Sequence, residues 1–109
     1  MKLVRDLIPQ IIEENGKSCE YHIANYDEYK TRLYEKMREE LDEFINTPCE
    51  EEAADMYEVL CAICRLHRLN MWNVKQYAAD KLIGRGGFAE RIILEKVDES
   101  RWPSKIINS

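Results

Sequence analysis

Carboxylates are the most frequent side chains in this chain that could do chemistry, and many lie in the segment REELDEFINTPCEEEAAD, residues 38–55. Between Glu35 and Glu58 the sequence has ten acidic residues against Lys36 and Arg38, a local net charge of −8. The whole chain carries −5, so the remainder carries the difference, +3. The acidity is therefore a local feature, which indicates either a solvated acidic face or a site for a cation.

Two helices joined by a short break are predicted to carry these carboxylates. The first runs from about Asp27 to Ile45. Thr47, Pro48 and Glu50 match a T-x-x-E capping box with proline at the first helical position, and they predict a second helix that continues to about Leu69. Because the connection is short, we expect an antiparallel helical hairpin.

Each predicted helix places one carboxylate on its inward face. At 3.6 residues per turn, Glu40 falls about 20° from Leu33, which belongs to the apolar stripe of the first helix. Glu52 falls about 40° from Met56 on the apolar side of the second helix. A further carboxylate follows three residues later in each case. The hairpin should therefore gather four carboxylates at one end, namely Glu40, Glu43, Glu52 and Asp55.

Such a cluster is costly unless its charge is neutralised. Two carboxylates about 4 Å apart repel by about 4 kcal/mol at an effective dielectric constant near 20. Protonation would relieve this repulsion, and a hard divalent cation would relieve it better, since sites made of oxygen ligands suit Mg²⁺ or Mn²⁺. The alternative, a solvated acidic face, accounts for Glu50 and Glu51 but not for Glu40 or Glu52 on the inward faces. The pattern predicts a metal site.

The acidic residues also form a recognisable motif. EELDE (residues 39–43) followed by EAAD (residues 52–55) resembles the EExxE…ExxD signature of the all-α nucleoside triphosphate pyrophosphatases. This superfamily includes the MazG-like proteins and phosphoribosyl-ATP pyrophosphatase. KLVRDLIP near the start and KLIGRGGF near the end resemble the ends of a small MazG-like house-cleaning subgroup, so the resemblance runs from about Lys2 to Leu94. The spacer of eight residues between Glu43 and Glu52 is shorter than the usual MazG-like spacer.

The resemblance implies hydrolysis of a nucleoside triphosphate between its α and β phosphates, which gives a monophosphate and pyrophosphate. By similarity, Glu40, Glu43, Glu52 and Asp55 would hold Mg²⁺, and Glu39 or Glu40 would orient or deprotonate the attacking water. Two other functions are kept open: phosphoribosyl-ATP hydrolysis on the same scaffold, and a non-catalytic helical assembly module.

Basic residues outside the acidic segment are candidates for binding the phosphates. Lys81 and Arg85 lie four residues apart on a predicted helix that runs into glycines, and both side chain types bind phosphate. Lys2 and Arg5 are further candidates. An intramolecular salt bridge is the alternative role for these two residues.

The remaining predicted elements complete a mainly α domain that covers residues 1–109, an antiparallel helical bundle with a small two-stranded accessory. Helices are expected at about residues 4–15, with Pro9 bending or delaying the start, and at about Met71–Ile83 after a cap at Asn70. CEYHIAN and RIILEKV are predicted to be the two short strands. The final segment, RWPSKIINS, offers only Trp102 for packing.

Composition limits the location and the partners. The hydrophobic fraction of 45% is ordinary for a soluble protein, the apolar stretches are too short to span a bilayer, and no signal-peptide pattern is found, so a cytoplasmic protein without a membrane partner is expected. Cys61 and Cys64 could indicate redox or zinc chemistry, but we interpret them as small buried hydrophobic residues. The acidic segment would repel nucleic acid. The exposed apolar surface of a lone hairpin predicts a homodimer or tetramer.

Overall fold

The computed structural model describes residues 1–98, which form four α-helices and no strand. The helices are α1 (Ile8–Glu14), α2 (Tyr26–Asn46), α3 (Glu50–Leu66) and α4 (Met71–Arg85). The predicted mainly α class is confirmed. Trp102 lies outside the described residues. Within residues 1–98, no helix is both long enough and apolar enough to cross a membrane.

The two segments predicted to be strands are irregular. Neither residues 19–25 nor residues 91–97 have strand structure, so the two-stranded accessory is not observed. The physical reason is that alternating side chains favour an extended backbone but supply no hydrogen-bonding partner. A two-stranded pair alone is also only marginally stable in water.

The starts of α2 and α4 follow local capping chemistry, but the predicted start of α3 does not. Asn25 caps α2, because its side chain accepts a hydrogen bond of 3.0 Å from the backbone N–H of Glu28. Asn70 caps α4 in the same way, as predicted, through the N–H of Asn73. The predicted capping box at Thr47 is wrong. The backbone N–H of Thr47 instead donates to Glu43 at the end of α2, and α3 begins three residues later.

Pro9 and Gly16 limit α1. The helix begins at Ile8 and not near Val4, with Pro9 in its first turn, where a missing N–H costs nothing. Gly16 follows the helix with φ of 81°, a left-handed conformation that suits glycine. Residues 1–7 therefore precede α1 as a segment without regular structure. We call residues 1–7 the N-terminal segment.

α2 and α3 pack against each other and run in opposite directions. Tyr34, early in α2, contacts His67 just beyond the end of α3, with ring centroids 6.1 Å apart. Among residues 1–98 the buried apolar core is small and consists of Leu33 on α2 with Val59 and Cys64 on α3. The predicted helical hairpin is thus present, and its connection is only residues 47–49.

The chain divides into two compact units. The first is Met1–Lys75, which contains the α2–α3 pair and the acidic segment, and the second begins at Gln76. Lys81 and Arg85 lie on the last turns of α4, in the second unit.

Candidate metal centre

Three carboxylates from α2 and α3 converge on one point. Glu40, Glu52 and Asp55 each offer one oxygen atom, and these oxygens all lie within 4.8 Å of one another. The antiparallel packing brings the second half of α2 beside the first half of α3. Since residues three apart share a helix face, Glu52 and Asp55 lie on the same side of α3. Three of the four predicted metal ligands are therefore brought together.

Glu40 is the most buried member of the cluster and has an internal partner. It is 8% exposed, and it is the one buried charged residue in the described part of the chain. A buried charge costs free energy unless it is paired. Lys36, one helical turn earlier, supplies its Nζ atom at 3.2 Å from Glu40 Oε1. Lys36 is therefore an internal partner of Glu40 inside the hairpin.

Glu52 carries the clearest electrostatic sign of crowded acids. Partial burial and then the negative charges of Glu43, Asp55 and Glu40 raise the pKa of Glu52 above its ordinary value. Among residues 1–98, no basic side chain forms an ion pair with Glu52. A cation placed beside Glu52 would remove this repulsion.

The N-terminal segment contributes two basic side chains to the carboxylates. Arg5 Nη2 donates to Asp55 Oδ1 at 2.7 Å, and Lys2 Nζ lies 3.3 Å from Glu39 Oε1. The hydrogen bond to Asp55, followed by nearby negative charges, raises the pKa of Arg5 despite the opposing effect of burial. The salt-bridge role considered for Lys2 and Arg5 is therefore observed.

Glu39 and Glu43 lie at the margin of this cluster. Burial acts to raise the pKa of Glu39, but the hydrogen bond from Lys2 and the charges of Lys36 and Lys2 lower it overall. Glu43 is exposed and is not one of the three converging carboxylates, although its charge contributes to the raised pKa of Glu52. A metal-ligand role for Glu43 and a catalytic role for Glu39 or Glu40 stay predictions.

The donor set fits a hard divalent cation. Three carboxylate oxygens suit Mg²⁺ or Mn²⁺, and Mg²⁺ ordinarily completes its coordination with water and substrate phosphate oxygens. Asp55 also accepts a hydrogen bond from Arg5. Arg5 and Lys36 already balance part of the negative charge, so a divalent cation would compete with them for the carboxylates.

The internal counter-ions are the feature that sequence reasoning missed. Lys36 and Glu40 are four residues apart on one helix, a spacing that favours an ion pair and could have predicted this contact. The pairing of Arg5 with Asp55 across fifty positions of sequence has no such local signal. Only the packing of the N-terminal segment on the hairpin reveals it.

Comparison of the chain with protein-family models, curated proteins and solved structures finds no match.

Proposed function

We propose that this protein is a Mg²⁺-dependent hydrolase that cleaves a nucleoside triphosphate between its α and β phosphates. The observation that carries the proposal is the convergence of Glu40, Glu52 and Asp55 within 4.8 Å. The resemblance of the acidic and terminal motifs to MazG-like pyrophosphatases supports the reaction type. A cytoplasmic location would supply both nucleotide and Mg²⁺.

The residues have distinct roles in this proposal. Glu40, Glu52 and Asp55, with Glu43 at the margin, would hold Mg²⁺ (or Mn²⁺), which would supply positive charge to neutralise the charge that develops on the phosphates. Glu39 or Glu40 would accept a proton from the attacking water or orient it. Lys2 and Arg5 are proposed to bind the phosphates. For Lys81 and Arg85, which lie in the second unit, phosphate binding stays a prediction from the sequence.

The direct test is an assay of pyrophosphate release from a panel of nucleotides with Mg²⁺. The panel includes canonical and modified nucleoside triphosphates and phosphoribosyl-ATP. We expect turnover by the wild-type protein, and a loss of roughly tenfold or more in Glu52→Gln, because one converging carboxylate is removed. Glu51→Gln is the matched control, since it removes the same charge one position earlier on the exposed face of α3.

The products discriminate between the candidate reactions. Release of inorganic phosphate without pyrophosphate would show that cleavage occurs at another bond. Turnover of phosphoribosyl-ATP alone would favour the biosynthetic alternative. Equal rates for Glu52→Gln and the wild type would exclude this cluster as the catalytic centre.

One observation favours a second candidate, a non-catalytic helical assembly module. Two of the three converging carboxylates already have internal cations, Lys36 for Glu40 and Arg5 for Asp55, so their negative charge is compensated without a metal. No turnover of any nucleotide by a folded protein, with no binding of Mg²⁺, would support this candidate. We also propose that the protein is a homodimer or tetramer under either function.

A further inference from the structure

We propose that Lys2 and Arg5 form an anion site that is available only when a divalent cation occupies the carboxylates. In the absence of the cation they are internal counter-ions of Glu39 and Asp55, and after its binding they bind a phosphate or pyrophosphate group. The inference rests on the proposed function for the identity of both ligands. It adds an order of binding, in which the metal binds before the anion. Lys2 and Arg5 then alternate between two partners, the carboxylates and the phosphate group.

The geometry shows the first of these partners. Arg5 and Lys2 reach across 50 and 37 positions of sequence to Asp55 on α3 and Glu39 on α2. Their side chains are nevertheless 58% and 65% exposed. Ion pairs with this exposure are weak because water and salt screen them. The side chains of Arg5 and Lys2 can therefore leave the carboxylates at a small cost in free energy.

Competition for one carboxylate indicates why Arg5 would leave. Arg5 donates a hydrogen bond to Asp55, one of the three converging carboxylates, and a divalent cation bound there would repel the guanidinium group. Lys36 is held within α2 with its side chain only 17% exposed. Arg5, in the N-terminal segment, is the group that can change partners.

The second partner has a place to bind. Lys2 and Arg5 also line a cavity of about 300 Å³ in the first unit, together with His22 and Arg32. Three acidic side chains line it as well, so its net charge depends on whether Lys2 and Arg5 face the cavity or the carboxylates. A phosphate group bound in this cavity would accept hydrogen bonds from both basic side chains.

Metal affinity is the first measurement that tests this exchange. Mn²⁺ binding to the full chain would be measured by electron paramagnetic resonance for the wild type, Arg5→Gln and Arg5→Lys, with folding checked by circular dichroism. We expect Arg5→Gln to bind Mn²⁺ about two- to fivefold more tightly, the equivalent of one exposed ion pair. Arg5→Lys keeps the competing charge and should resemble the wild type.

Arg65→Gln is the control for a general effect of charge. Arg65 is exposed on the same helix as Asp55 and lies ten residues beyond it, about 15 Å along the axis. Its replacement removes the same positive charge but leaves the carboxylate ion pairs intact. We expect no measurable change in Mn²⁺ affinity.

Anion binding is the second measurement. Calorimetric titration with pyrophosphate should show binding to the wild type at saturating Mg²⁺ and none in its absence. At the same Mg²⁺ concentration, Arg5→Gln should bind pyrophosphate about two- to fivefold more weakly, because only Lys2 of the two basic side chains remains. The same substitution thus changes metal and anion affinity in opposite directions.

Several results would overturn the inference. If Arg5 only oriented Asp55 toward the ion, Arg5→Gln would lose about tenfold to a hundredfold in metal affinity. That loss, unchanged affinity, no Mn²⁺ binding at all, or equal pyrophosphate binding without metal would each contradict the exchange. Nucleotide turnover is measured separately, so exchange without turnover would refute only the hydrolase, and turnover without exchange only the present inference.

Discussion

At the residue scale, Glu52 is the most informative carboxylate of the candidate metal centre. Its pKa is raised first by burial and then by the negative charges of Glu43, Asp55 and Glu40. A bound cation converts that repulsion into attraction, whereas protonation only removes it. Glu52 should therefore matter more for binding a metal than for the stability of the metal-free protein.

The corresponding prediction concerns thermal stability in the presence of Mg²⁺. A ligand that binds only the folded state at a hundred times its Kd stabilises it by about 2.7 kcal/mol. We expect Mg²⁺ to raise the Tm of the wild type, and Glu52→Gln to lose most of this increase, as measured by differential scanning fluorimetry. Glu51→Gln should keep the full increase. An identical Mg²⁺ response in both variants would mean that the ion binds elsewhere.

Internal ion pairs also stabilise the candidate metal centre in the absence of a metal. Glu40 and Asp55 would serve as metal ligands in the proposed function, yet each already has a basic partner in the described structure. Such pairs reduce the repulsion among the acids of the hairpin. Lys36 and Arg5 thus allow a dense acidic cluster to exist in a small helical protein.

At the scale of elements, α2 positions the site because it carries Glu40, and its register depends on where it begins. Asn25 fixes that start through its bond to the N–H of Glu28. The side chain satisfies one of the N–H groups that lack a partner within the helix. A well-defined first turn then places Leu33 and Glu40, seven residues apart, on the same buried face.

Removal of this cap should destabilise the protein measurably. We expect Asn25→Ala to lower the free energy of unfolding by about 0.5–2 kcal/mol. Asn25→Asp keeps an acceptor at the same position and should remain close to the wild type. Urea denaturation followed by circular dichroism measures both. Equal stability of the alanine and aspartate variants would show that the cap contributes nothing.

At the scale of the whole molecule, the apolar core of the first unit is small for the length of its helices. Only three apolar residues are buried among the described residues. Several large apolar side chains on α2 and α3 stay at least 40% exposed, namely Leu41, Ile45, Tyr57 and Leu60. A second copy of the chain is the partner that we propose for these exposed side chains.

The oligomeric state tests this proposal. Sedimentation velocity of the full chain should give a dimer or tetramer at micromolar concentration. Leu60→Glu should shift the population toward the monomer, because a charge in an apolar interface is costly. Asp42→Asn, on the exposed surface of α2, is the control. A monomeric wild type would contradict the prediction.

The sequence alone determined the features that depend on neighbours along the chain. Helical periodicity predicted the hairpin and placed Glu40 and Glu52 on its inner faces, and Asn70 was recognisable as a cap. The same reasoning failed for the capping box, because Thr47 can serve either the helix before it or the helix after it. The residue types around Thr47 do not determine which of the two helices it serves.

Only the tertiary structure decided which distant groups meet. Glu43 follows the same helical spacing as Asp55, yet it stays exposed while Asp55 joins the cluster, because the rotation of one helix against the other selects the converging faces. The predicted strands stayed irregular for a similar reason, since strand structure requires a partner from elsewhere in the chain. The contact of Arg5 with Asp55 likewise arises from packing across 50 positions, where helical periodicity carries no information.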